Sequence, residues 1–322
     1  MSETKDKPFT IHSSLSDLVS QYDGFILDQF GVMHNGSCGL PGAPECVEKL
    51  AAQNKKFIIL SNTSSSSKAT IAKLPKLGFD PINFEGAVTS GEEAGLHVSK
   101  AYQSKKVLWF TWANGATPSP LDFLARCGSG DSRGIEVADS IEDADFIIAH
   151  GCGVIRGSGK DGEAKETSLG SFHENGDFSV LDPVLEQCAK RNLPMVCANP
   201  DFIMVKPDGS KGHMPGKIGQ RYESMGGKCE YFGKPHVPHF EACLRDLGLD
   251  RNRVAHVGDS LHHDVAGANN SGIASIFVTG GIHREDLGSP ELGTLPTNEA
   301  LQKLFKKEGQ TPTHVIPLLR LD

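Results

Sequence analysis

The chain has 322 residues, enough to bury a sizeable core and to form two domains. Its 38% hydrophobic and 22% charged content is that of a globular protein, and a net charge of −8 leaves no basic surface for nucleic acid. No apolar run approaches the ~18 residues needed to span a bilayer, and Met1–Lys7 has neither an apolar nor an Arg-rich leader, so a cytoplasmic location and no membrane partner are expected.

Residues 1–20 read as a loose lead-in with a short helix from Ser14 to Gln21. The apolar run Phe25-Ile26-Leu27 then ends in Asp28, with Gly31 placed to let the chain turn away. Short apolar runs bounded by Gly and polar residues are the pattern of buried parallel strands, so Gly24–Asp28 is expected as the first strand. A Gly-rich loop, Met33 to Gly42, leads to a helix expected from Ala43 to about Asn54. The run Lys56–Leu60 is a second strand that ends in Ser61, Asn62 and Thr63. A helix over Ser64–Leu77 and a strand over Gly86–Gly91 complete a β-α-β-α-β start.

A second α/β pattern fills about 91–215, with strands at Lys106–Thr111, Phe146–His150 and Pro194–Asn199. Within it, Gly151–Gly176 is rich in Gly, Ser, Lys and Glu and reads as an exposed, mobile loop. Trp109-Phe110-Thr111-Trp112 is expected to pack its interior. Helices follow at Lys217–Met225 and Val237–Leu247, then strands at Val254–Asp259 and Ala274–Thr279. The expected architecture is a doubly wound parallel α/β core, 21–90 plus 216–322, split by an inserted α/β domain at 91–215. The eight cysteines contain no C-x-x-C and read as buried, reduced thiols.

Ligands of open α/β sheets bind at the carboxyl ends of the strands. The residues expected there are Asp28, Ser61, Asn62, Lys234, Asp259 and Asp264. Mg²⁺ takes oxygen ligands, one or two carboxylates among them. Hydroxyl and N–H groups hold phosphate oxygens, an ammonium offsets charge, and a carboxylate can accept a phosphoryl group. The set is therefore what metal-assisted phosphoryl transfer to a carboxylate needs.

Four stretches in this order resemble the motifs of the haloacid dehalogenase superfamily, subclass IIA: Asp28–Val32, Leu60–Thr63, Phe232–Pro235 and Gly258–Asp264. Asn199-Pro200-Asp201 and Pro215-Gly216 are similar to the same subclass. The resemblance implies a Rossmann-like core with a C2-type cap between the second and third motifs. It implies Asp28 as nucleophile and metal ligand, and Ser61, Asn62 and Thr63 as phosphate holders. Lys234 would neutralise charge, Asp259 would bind Mg²⁺, and Asp264 would serve the metal's water shell or Lys234. The Phe30 carbonyl would be a further metal ligand. A small phosphorylated metabolite is the implied partner, in a homodimer, with Phe202–Lys206 as a substrate loop, although the same apolar run reads equally as a buried core strand.

One position departs from the superfamily pattern. Phosphatases of the superfamily usually carry a second Asp two residues after the nucleophile, to move protons, and here that position is Phe30. A branch of subclass IIA with the form D-x-(W/F)-G-V is similar. General acid–base help is worth about 10²–10⁴-fold, so another group supplies it or the leaving group needs none. His34 and His262 are the nearest candidates in sequence, although as isolated residues both read as surface or loop histidines; the His262-His263 pair is expected to diverge on a helix. The expected function is a Mg²⁺-dependent phosphohydrolase, the alternative a catalytically weak or inactive phosphate-ligand-binding protein. Cleavage of C–P or C–halogen bonds fits less well, because the interval from Asp28 to Ser61 leaves no room for the cap such relatives carry there.

Overall fold

The computed structural model describes residues 8–116, 119–130, 133–157, 166–206, 210–288 and 291–322, and the expected lead-in at 1–7 lies outside them. The chain divides into two compact units. The first runs up to Ser61 and adds Ser67–Val88 and Lys234–Asp322; the second comprises Asn62–Ser66 and Thr89–Gly233.

The first unit is built on a seven-stranded sheet in the order Thr10–Ile11, His314–Ile316, Ala274–Val278, Val254–Gly258, Gly24–Leu27, Lys56–Ser61, Gly86–Thr89. From Thr10–Ile11 through Lys56–Ser61 the neighbours pair in parallel. The apolar runs are continuous because both faces are covered. On one face, Phe25, Leu27, Phe57 and Ile59 join Val47 and Leu50 of the Ala43–Ala51 helix. On the other, Ile26, Ile58 and Leu60 meet Phe240, Leu244 and Leu247 of the Val237–Leu247 helix. The period of two along each strand thus divides one apolar run between two cores. From Gly24–Leu27 the chain next adds Lys56–Ser61 on one side, while Val254–Gly258 fills the other. The tip of the Asp28 strand is therefore the point where the winding reverses, the place where such sheets bind ligands.

The second unit has its own sheet, ordered Lys228–Tyr231, Pro194–Cys197, Phe146–Ala149, Lys106–Thr111, Val154–Arg156, Thr167–Ser168, with Glu136–Val137 paired to Lys106–Thr111. Trp109, Phe110 and Thr111 are fully buried within it, as the sequence predicts, whereas Trp112 is only partly buried against the core. Phe202–Lys206, expected as a substrate loop or a buried core strand, contributes Ile203–Val205 to a two-stranded antiparallel ribbon with Lys211–His213, in which Ile203 and Met204 are only partly buried.

Several expectations are corrected. Gly151–Gly176 is not an open loop in its described parts: Val154–Arg156 and Thr167–Ser168 pair antiparallel, and Phe172–Asn175 is helical, while 158–165 lie outside the described residues. The strand expected over Gly86–Gly91 stops at Thr89, whose hydroxyl accepts the Glu92 N–H and caps the Ser90–Ala101 helix. The helix expected over Ser64–Leu77 begins at Ser67 and tightens to 3₁₀ geometry over Leu74–Leu77. The second unit also runs past 215 to Gly233, because Lys228–Tyr231 pairs with Pro194–Cys197. The lead-in is tied down by Thr10–Ile11 on the edge of the first sheet, and its expected helix is one 3₁₀ turn, Leu15–Leu18. Of the eight cysteines, all free thiols, Cys38 is exposed and Cys229 partly so.

Candidate active site

Asp28 leaves the Gly24–Leu27 strand with its N–H bonded to the Val257 carbonyl at 2.9 Å, and its side chain is buried. The Gln29 carbonyl then accepts the N–H groups of Met33 at 2.8 Å and His34 at 3.1 Å, closing a tight turn. Gly31 makes that turn possible, with φ +77° and no room for a Cβ, which would collide with the Asp259 carboxylate.

Asp259 follows the neighbouring Val254–Gly258 strand, and its Oδ2 accepts the Ile282 N–H at 2.8 Å. A Cβ on Gly281 would also strike this carboxylate, so the Gly280-Gly281 turn fits closely around it. Asp264 sits in the Leu261–Val265 turn after that strand. Its Oδ1 lies 2.8 Å from Lys234 Nζ and 2.8 Å from His256 Nε2, and its Oδ2 accepts the Ser260 N–H at 2.9 Å. Lys234 Nζ in turn donates to Asp28 Oδ1 at 2.5 Å. The result is a buried chain, His256–Asp264–Lys234–Asp28.

One carboxylate oxygen from each of Asp28, Asp259 and Asp264 lies within 4.8 Å of the others, and all three residues are buried. Burial pushes the Asp28 carboxyl up to about 6, assisted by the Asp264 charge and opposed by Lys234. Burial likewise raises Asp259 well above the carboxylate range, with the charges of Asp28 and Asp264 adding to it. For Asp264 burial acts in the same sense, but Lys234 and His256 overcome it and hold the carboxylate well below its usual range. Burial alone would lower Lys234; the Asp264 and Asp28 carboxylates outweigh it and keep the ammonium charged. Asp28 and Asp259 are thus carboxylates with too little positive charge nearby, the condition a divalent cation relieves.

The structure brings together Asp28, Lys234, Asp259 and Asp264. Ser61 ends the strand paired beside Gly24–Leu27 and is buried. Asn62 and Thr63 open the second unit. There Asn62 Nδ2 donates to Asp201 Oδ1 at 2.8 Å, and the Thr63 carbonyl accepts the Ser90 hydroxyl at 3.2 Å. Phe30 is 47% exposed. His34 is buried, its Nδ1 accepts the Gly36 N–H at 3.1 Å, and burial with the nearby Lys73 charge lowers its pKa to about 4. It is therefore a neutral imidazole at pH 7, not a ready proton donor. The His262 and His263 rings do not diverge: they meet edge to face at 4.8 Å, on a turn of π geometry. Sequence reading passed over His256, the Ile282 N–H and Gly281. The one signal for His256 was a polar ring at an inward position of an apolar strand.

A doubly wound α/β core with convergent carboxylates and a buried lysine at its switch point is an arrangement suited to metal-assisted phosphoryl transfer. The comparisons agree. Residues 25–117 match the profile of the haloacid dehalogenase-like hydrolases, and residues 231–319 match a second, HAD-hydrolase-like profile. Mouse chronophin is 25% identical over 275 residues, covering 84% of this chain and 85% of its own. The 4-nitrophenylphosphatase of Schizosaccharomyces pombe is 25% identical over 286 residues, covering 84% and 88%. A haloacid dehalogenase-like hydrolase of Brucella suis superposes with a TM-score of 0.70 at 21% identity, over 97% of this chain and 100% of its own. The chain belongs to the haloacid dehalogenase-like hydrolase superfamily. Among the described residues, no helix is long and apolar enough to cross a membrane.

Proposed function

We propose that the chain is a Mg²⁺-dependent phosphohydrolase that moves a phosphoryl group from a small phosphorylated metabolite to Asp28 and then to water. The observation that carries this reading is Asp28 itself. It is a buried carboxylate at the switch point, held at 2.5 Å by a lysine that a second carboxylate, Asp264, orients from the far side. An unsolvated, positioned carboxylate is the nucleophile that an aspartyl-phosphate route requires.

The donor set fits Mg²⁺, since it is all oxygen and gathers more buried negative charge than Lys234 offsets. Asp28, Asp259 and the Phe30 carbonyl would hold the ion. Asp264, both of whose oxygens already have protein partners, would orient Lys234. When bound, the ion supplies charge neutralisation for the phosphoryl oxygens. Lys234 keeps Asp28 ionised and adds its own charge beside the phosphate, and Ser61 with Asn62 and the Thr63 N–H would hold the remaining oxygens.

Hydrolysis of p-nitrophenyl phosphate by the purified protein, with and without Mg²⁺ and beside Asp28→Asn, tests the proposal. Turnover that needs Mg²⁺ and is lost in Asp28→Asn is expected. A folded protein that binds phosphate and Mg²⁺ but turns over nothing would favour the phosphate-ligand-binding alternative.

A further inference from the structure

Two residues beyond Asp28, the Phe30 ring stands 47% exposed, while Val32 and Met33 of the same turn are fully buried. The ring is seated. It meets His34 edge to face at 4.9 Å and 76°, and it lies so close over Gly36 that a Cβ there would come within 2.9 Å of its Cε1 and Cζ. Gly36 takes φ +95° to make this approach. Displaying a large apolar face to water has a cost, and here the displayed ring stands two residues along the chain from the proposed nucleophile.

The same turn lacks an acid. Its side chains between Asp28 and Gly36 are Gln29, Phe30, Val32, Met33, His34 and Asn35. Only His34 could carry a proton, and it is 4% exposed with its Nδ1 engaged by the Gly36 N–H. An alkyl oxygen leaving phosphorus is strongly basic and depends on such a donor, whereas a phenolate departs without one.

We propose that the site is specific for aryl phosphates, monoesters whose aromatic leaving group lies against Phe30 and departs as a phenolate. The inference rests on the phosphohydrolase reading above. An Asp28 carboxylate oxygen bonds to phosphorus as the phosphorus–aryl oxygen bond breaks, and the electron pair leaves with the phenolate, which takes its proton from bulk water. Water then attacks the aspartyl-phosphate at phosphorus, the Asp28 oxygen is released, and orthophosphate leaves with the water's proton lost to solvent. Aromatic contact supplies orientation without needing any group to move a proton.

The test is a leaving-group series on the full chain with Mg²⁺: substituted phenyl phosphates, glycerol 2-phosphate and acetyl phosphate, with Phe30→Leu and Phe30→Asp alongside. Wild-type kcat/KM should rise steeply with the acidity of the phenol, and glycerol 2-phosphate should trail phenyl phosphate by at least ~100-fold. Phe30→Asp should raise the alkyl ester far more than the aryl ones. Phe30→Leu should keep the steep dependence but raise KM for phenyl phosphate, relative to acetyl phosphate, by roughly 3- to 10-fold, the worth of one aromatic contact. Equal rates on glycerol 2-phosphate and phenyl phosphate would overturn the inference and leave the phosphohydrolase reading standing. An unchanged KM ratio in Phe30→Leu would overturn the aromatic seat. No turnover of any substrate by folded protein, acetyl phosphate included, would sink the phosphohydrolase reading itself.

Discussion

Replacing Lys234 by Met removes the one cation between two buried carboxylates. Lys234 Nζ lies 2.5 Å from Asp28 Oδ1 and 2.8 Å from Asp264 Oδ1, and the side chain is 3% exposed. At an effective dielectric constant of about 20, each pair at these distances attracts by roughly 6 kcal/mol. Most of that is offset by desolvation, and breaking a buried pair costs about 3–5 kcal/mol because it strands a buried charge. A unit of this size loses roughly 2–4 °C per kcal/mol, so Lys234→Met should melt roughly 6–20 °C lower than wild type in chelator. Because the variant site is more negative, added Mg²⁺ should stabilise it more than it stabilises wild type. At about 100 times its Kd, the ion returns about 2.7 kcal/mol. Thermal melts with EDTA and with Mg²⁺, followed by circular dichroism, give all four values. A variant that melts within about 1 °C of wild type in EDTA would refute the reasoning, since the carboxylates would then not depend on the lysine.

His256 is fully buried and bonded to Asp264 Oδ1, so His256→Leu should lower kcat and stability together by the worth of a charged hydrogen bond, about 1.5–3 kcal/mol. His256→Gln, which can still donate, should restore kcat more than it restores stability, a split that a purely structural role would not give. Mg²⁺ binding should weaken as pH falls through about 6, by about tenfold per pH unit, because Asp28 must release its proton to meet the ion. The sign of the stability effect in metal-free protein is the reverse. The folded-state value of Asp28 is raised, so its contribution is full below about 4 and lost as pH rises to about 6. Calorimetric titrations across pH 5–8 and melts in chelator check the two halves. Gly281→Ala would push a methyl into Asp259 and should raise the Mg²⁺ concentration for half-activation by at least ~10-fold, read from a metal titration of activity.

The charged half of the site was legible in part because Asp28 and Asp259 end apolar runs, while the role of Asp264 was read only through the family resemblance; in the structure one oxygen from each of the three carboxylates lies within 4.8 Å of the others. The supporting half was hidden for physical reasons. His256 lies inside a strand that reads as core, and its partner is eight residues on, across a turn. The Ile282 N–H is a backbone group with no side-chain signature. Short strands were missed where their partners are remote: Thr10–Ile11 pairs with His314 and Val315. Ser90–Ala101 was lost to the preceding strand, although Thr89-Ser90-Gly91-Glu92 carries the spacing of a helix cap, and Thr89 does accept the Glu92 N–H at 3.2 Å. The end of the second unit at Gly233 was not visible because Lys228–Tyr231 alternates exposed with only partly buried positions, a pattern too weak to announce a strand.

The central claim is that Asp28 carries the phosphoryl group. The direct measurement is to quench the protein during turnover of phenyl phosphate with Mg²⁺, reduce with borohydride, and map the product by peptide mass spectrometry. An acyl phosphate at Asp28 would be reduced to homoserine at that one position, and this is the predicted result. Steady hydrolysis with Asp28 unmodified throughout, or with the reduced carboxyl at any other residue, would contradict the account.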